Sequence, residues 1–163
     1  MEALWAELAA GRIDLVASDH APWPEACKDK PDIFENASGC PGLQTMVPLL
    51  YSEGVARGRI TLQRFVEVLA GNVARIFDLP AAKGALRPGA DADLVLFDPK
   101  KRWVVREDRM LSNARWTPFA GMAVQGAVVA TLVRGAFAYR DGEVLAKPGD
   151  GRFVPAATPK SVR

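Results

Sequence analysis

Histidine is nearly absent from this chain: His20 is the only one among 163 residues. A metal centre built from several histidines has no source in these residues. Cysteine is almost as scarce, with Cys27 and Cys40 alone. Two thiols with no Cys or His cluster beside them exclude a disulfide scaffold and a structural zinc site. An excess of charge of one sign is also missing. Lys and Arg number 21 against 19 Asp and Glu, a net charge of +2, which gives no field for nucleic acid or an anionic membrane. No apolar run approaches the ~20 residues that span a bilayer. Met1 to Gly11 carries Glu2 and Glu7 among apolar residues, a helix pattern rather than a secretory leader.

What remains is a globular composition, 49% hydrophobic and 25% charged, in a chain long enough for about one domain with a real core. Leu4, Trp5 and Leu8 predict a helix over residues 2–10, stopped by Gly11. Ile13 to Ser18 reads as a short buried strand with Asp19 at its carboxyl end. Residues 20–42 hold four prolines and two glycines, a long loop of the functional or mobile kind. Residues 43–78 are helical in pattern. Thr61 is a good N-cap, Leu62, Phe65, Val66, Leu69, Val73 and Ile76 form an apolar stripe, and Gly71-Asn72 is a candidate break. Pro48 fits early in its helix and would kink it further in. Beyond Pro80 the pattern turns to β, with a strand ending at Pro99 and further candidates at 102–105, 127–133 and 136–140. Asp141-Gly142 is a hairpin signal. The chain therefore divides near residue 80, and its polar tail after Gly151 is expected to pack poorly.

Chemistry concentrates in Ser18-Asp19-His20-Ala21-Pro22. A carboxylate at the carboxyl end of a buried parallel strand projects into the mouth of an α/β barrel, where such folds keep catalytic groups. Asp19 can then ligate a metal, exchange a proton with attacking water, or both. The other reading is a turn cap that accepts from nearby backbone N–H groups. For a lone histidine such as His20 a hydrogen-bonded structural role is commoner than ligation. Residues 36–42, Asn-Ala-Ser-Gly-Cys-Pro-Gly, can bring backbone groups close to a ligand, or form an ordinary turn. Cys40 lacks the neighbours that activate a thiol. Lys28 and Lys30 read as a charged lid or a solvated loop. Gly84 to Gly89 lacks the Lys-Ser/Thr ending of a phosphate loop. Arg102, Arg106 and Arg109 lie among acidic residues, as on a solvated strand face.

Taken together, IDLVASDHAP (13–22), the GCPGLQ…NVARIFDLP run (39–80), KGALRPGADADLVLFDP (83–99) and WTPFAGMAVQGAVVATLVRG (116–135) resemble, in order, the C-terminal portion of the cyclic amidohydrolases. These are the dihydroorotases, hydantoinases or dihydropyrimidinases, and allantoinases of the amidohydrolase superfamily. The resemblance implies an α/β fold: the C-terminal part of a TIM-like (β/α)8 barrel over residues 1–80, then the C-terminal half of a small β-sandwich and a polar tail over 81–163. It implies a hydrolase that opens a small cyclic amide or ureide ring, of the kind found in pyrimidine metabolism. It also implies a cytoplasmic homo-oligomer in the intact parent, with no nucleic-acid or membrane partner.

By the same resemblance, Asp19 matches an aspartate that ligates a divalent metal, Zn2+ in a binuclear site, and serves as general acid/base. Zinc lowers the pKa of a bridging water to near ~7, and the carboxylate takes its proton and returns it to the leaving nitrogen. His20, Ser38, Gly39, Cys40, Pro41 and Gly42 are the implied substrate-binding residues, the loop acting mainly through its backbone. The family's remaining ligands, a His-x-His pair, a carboxylated lysine and two more histidines, lie N-terminal of the matched segment. The chain alone is thus expected to hold no binuclear metal and to turn nothing over; the alternative is a non-catalytic assembly relative or a truncated inactive form. Trp23 stands where dihydroorotases usually carry His, and Ser38 where dihydropyrimidinases tend to carry Asn. The reading would fail with the Asp19 side chain turned to bulk solvent, far from the glycine-rich 36–42 loop that it should face.

Overall fold

A computed structural model describes residues 1–157 of the chain; the last six tail positions fall outside the described residues. The architecture is mixed helix and sheet. Helix α1, Glu2–Ala9, ends as expected: Gly11 adopts φ +80°, Gly11 N–H reaches Leu8 C=O, and Arg12 N–H reaches Glu7 C=O. Helix α2, Leu43–Leu50, runs into a π-helical turn over Tyr51–Val55, where Ala56 N–H reaches Tyr51 C=O at 2.9 Å. The stripe beginning at Leu62 is divided the same way: α3 Leu62–Val66, a π turn Glu67–Gly71, then α4 Asn72–Ile76. Thr61 Oγ1 accepts from Arg64 N–H at 3.0 Å, the expected cap. Among the described residues no helix is long and apolar enough to cross a membrane.

The expected strand at Ile13–Ser18 does not form. Among the described residues no neighbouring strand pairs with this segment, so no ladder forms. Three of its backbone groups are bonded instead by the helices. Val16 N–H donates to Val68 C=O at 3.1 Å, Asn72 Nδ2 donates to Asp14 C=O at 2.8 Å, and the Arg64 guanidinium donates to Ile13 C=O and, at 2.8 Å, to Leu8 C=O. Ile13 and Val16 still pack on the main core.

Four antiparallel strands form one meander in sequence order: β1 Leu94–Val104, β2 Ala123–Val133, β3 Ala136–Arg140 and β4 Glu143–Val144. The strand expected to stop at Pro99 instead continues through it. The ladder to β2 breaks between Asp98 and Arg102, and Asp98 Oδ1 accepts the N–H groups of Lys100 and Lys101, so an irregularity absorbs the proline. Asp141 and Gly142 take φ +50° and +99°, the left-handed pair that the Asp-Gly signal predicts.

The main core joins both parts of the chain. Leu8, Leu50, Ile60, Phe65 and Val68 close around Tyr51, and Phe97 of β1 reaches in from the sheet. Ring centroids lie 4.7 Å apart for Tyr51–Phe97, 5.8 Å for Tyr51–Phe65 and 6.1 Å for Phe65–Phe97. Gly126 in β2 makes room for this cluster: at φ +95°, a Cβ there would sit 2.6 Å from both Phe97 and Tyr51. Lys83 bridges Asp91 and Asp93, and Asp93 also accepts from Arg134 N–H at 2.7 Å, so the KGALRPGADAD stretch ties the helical part to the β2–β3 turn.

Two consequences are measurable. Gly126→Ala meets both a left-handed backbone and two aromatic rings, and it should cost roughly 2–4 kcal/mol in urea unfolding. The Lys83 ammonium, then Arg134 N–H, hold the Asp93 carboxyl below the ordinary aspartate range. A depressed folded pKa stabilises at pH above the unfolded value, near about 4, and that contribution is lost as pH falls through the folded pKa. Asp93→Asn should therefore be less stable than the native chain at neutral pH, and the gap should close on acidification below about pH 4 in unfolding curves taken across pH.

Candidate active site

Two segments far apart in sequence cross at the start of α2. The 18–21 segment lies against the 39–42 loop, joined by a parallel bridge between His20 and Cys40 and by Ala21 N–H to Cys40 C=O at 3.0 Å. The approach is close enough to demand glycine. A Cβ on Gly39 would fall 2.7 Å from Ala21 Cβ, and one on Gly42 would fall 3.0 Å from Ser18 C=O.

His20 locks the crossing. Its Nδ1 accepts from Gly42 N–H at 3.1 Å and from Leu43 N–H at 3.2 Å. These are first-turn donors of α2 that have no partner within the helix, so the imidazole does the work of an N-cap. Nδ1 as a double acceptor carries no proton, and the ring's one N–H is on Nε2. This is the structural role that the sequence reading weighed for a lone histidine.

Asp19 sits immediately before this lock, in a left-handed conformation at φ +43° that aspartate tolerates better than most residues. Its side chain is exposed, and among the described residues nothing donates to its carboxylate. It is therefore not a turn cap. It is equally not the buried strand-end carboxylate that the sequence suggested, because the strand itself is absent. Its sequence neighbour His20 holds the loop, while the Asp19 carboxylate is open to solvent. Ser38 and Gly39 are exposed, Cys40 and Gly42 half-buried, and Pro41 buried.

Four supports escaped the sequence reading. Lys28 is half-buried, and its Nζ donates to the carbonyls of Ala37 and Gly39, so it is neither lid nor solvated cation. Asn36 holds the preceding turn through Lys30 N–H, Lys30 C=O and Asp32 C=O. Gln44 donates to Arg109 C=O and accepts from Leu111 N–H, both at 2.9 Å. Trp116 Nε1 reaches Trp23 C=O at 2.8 Å, so the segment before β2 braces the long loop as well. Gln44 and Trp116 stood in the motifs already quoted, but their partners lie 65 or more positions away and could not be read locally.

No group of three or more His, Cys, Asp or Glu side chains capable of holding a metal ion occurs among the described residues. One carboxylate and an imidazole whose Nδ1 is already engaged do not make such a site by themselves.

The model of the amidohydrolase family matches residues 1–144. The D-phenylhydantoinase of Escherichia coli K12 is 40% identical over 154 residues, which is 93% of this chain and 33% of that protein. The D-hydantoinase (dihydropyrimidinase) structure from Thermus sp. superposes with a TM-score of 0.88 at 35% identity, over 93% of this chain and 33% of that one. The L-hydantoinase (dihydropyrimidinase) from Arthrobacter aurescens does so with a TM-score of 0.88 at 38% identity, over 93% and 34%. The chain thus spans about a third of the length of the relatives it matches.

The lock can be tested directly. His20→Ala leaves two helix-start donors unpaired, and should lower stability by about 1–2 kcal/mol and speed amide exchange at Gly42 and Leu43 before the rest of α2. Unchanged exchange at those two amides would show that the imidazole does not hold the crossing.

Proposed function

The chain belongs to the amidohydrolase family, and we propose from this that it forms the C-terminal part of an enzyme that hydrolyses a small cyclic amide or ureide, of the hydantoin or dihydropyrimidine kind. Within this reading, residues 1–80 belong to a TIM-like barrel and 81–163 to half of a β-sandwich and a polar tail, and the parent is a homo-oligomer. The relatives' names support the ring class, and they include both D- and L-hydantoinases.

One observation carries the site: the exposed and unpartnered Asp19 directly precedes His20, which is bridged to Cys40 of the 36–42 loop and accepts from the Gly42 and Leu43 N–H groups. Asp19 accepts a proton from the water that attacks the ring carbonyl carbon. As the C–N bond breaks, it returns that proton to the departing ring nitrogen, leaving a carboxylate and a free amide or amine. Ser38, Gly39, Cys40, Pro41 and Gly42 orient the ring through main-chain groups, and His20 acts by holding that loop in place. The metal of this reading is Zn2+. It would polarise the ring carbonyl, and Asp19 is the single donor this chain contributes; the remaining donors come from outside these residues.

A hybrid tests the reading: the chain replaces the matching third of the E. coli D-phenylhydantoinase. It should retain metal-dependent opening of a hydantoin or dihydrouracil ring, and Asp19→Asn should lower kcat/KM by roughly 10²–10⁴-fold. A folded, metal-loaded hybrid that opens no ring would sink the proposal and favour an assembly relative without catalysis.

A further inference from the structure

We propose that Lys28 is a positioning residue that aims the Ser38 peptide N–H at the substrate; this rests on the reading that the 36–42 loop meets the ring. Lys28 follows the short turn Glu25–Cys27 and is half-buried beneath the loop. Its Nζ donates to Ala37 C=O and, at 2.7 Å, to Gly39 C=O. Ala37 N–H donates to Cys27 C=O at 2.9 Å, so the same two stretches are tied twice.

The consequence for Ser38 follows from peptide geometry. Ala37 C=O and Ser38 N–H belong to one planar unit, and no peptide bond in the described chain is cis. With the carbonyl drawn to the ammonium, the N–H of that unit points the opposite way. Ser38 is exposed, and its N–H has no hydrogen-bond partner among the described residues. An ammonium on the carbonyl also polarises the unit and makes its N–H a better donor. Among the described residues Lys28 forms no ion pair, so its charge acts on the loop carbonyls alone. The restraint matters because Gly39, at φ +84°, gives the loop freedom that a lone bridge at Cys40 would not remove.

Two measurements decide it. On the 163-residue chain, Lys28→Met should raise exchange of the bonded Ala21, Ala37 and Gly42 amides by about tenfold while the interior of α2 stays protected, and Lys28→Arg should recover most of the protection. In the hybrid, Lys28→Met should raise KM roughly tenfold with kcat nearly unchanged, as loss of a contact made equally in ground and transition states requires. Unchanged exchange, a fall in kcat at constant KM, or no recovery with Arg would each overturn the positioning role. A native hybrid that opens no ring defeats the functional reading instead, and the exchange result then judges Lys28 by itself.

Discussion

The crossing of residues 18–21 over 39–42 is the constraint on which this end of the molecule depends. It is a close contact, in which a Cβ on Gly39 would meet Ala21 Cβ and one on Gly42 would crowd the Ser18 carbonyl. Such a contact has little apolar area to stabilise it. It is held by directed hydrogen bonds: one imidazole nitrogen taking two helix-start donors, and one ammonium taking two loop carbonyls. Charge and polarity at the site therefore serve geometry first, and the Asp19 carboxylate is left unengaged and exposed.

The aromatic cluster plays the matching part for the whole molecule. Tyr51, Phe65 and Phe97 come from a π turn, a helix and a strand, and they make the helical part and the sheet share one core. Because the sheet is anchored there, the segment between β1 and β2 is carried over the start of α2. Gln44 and Trp116 can then brace the long loop from the sheet side. The site is thus supported from both parts of the chain, although its candidate chemical groups come only from the first.

Much of the helical part was legible locally. Gly11 as a stop, Thr61 as a cap and Asp141-Gly142 as a turn each depend on neighbours a few residues away. The errors arose where a distant partner decides the outcome. Ile13–Ser18 has strand composition, but composition cannot supply a neighbouring strand, and Arg64 and Asn72 took up its carbonyls instead. Pro99 looked like an end because a proline cannot donate to a ladder, yet an irregularity in the pairing carries β1 past it. The 36–42 loop is a candidate site by sequence, and the structure brings His20 against it, but the exposure of Asp19 is not what a strand-end position implied.

By itself, the sequence determined the family, the dense polar cluster at 18–22, the glycine-rich loop and the impossibility of a multi-histidine metal centre within these residues. Those follow from residue identity and order, which do not change on folding. Only the tertiary structure decided that His20 caps a helix, that Lys28 clamps a loop and that Asp19 is left without a donor. Each of those roles is a hydrogen bond, or the lack of one, between groups brought within about 3 Å by folding, and no local pattern specifies such a distance.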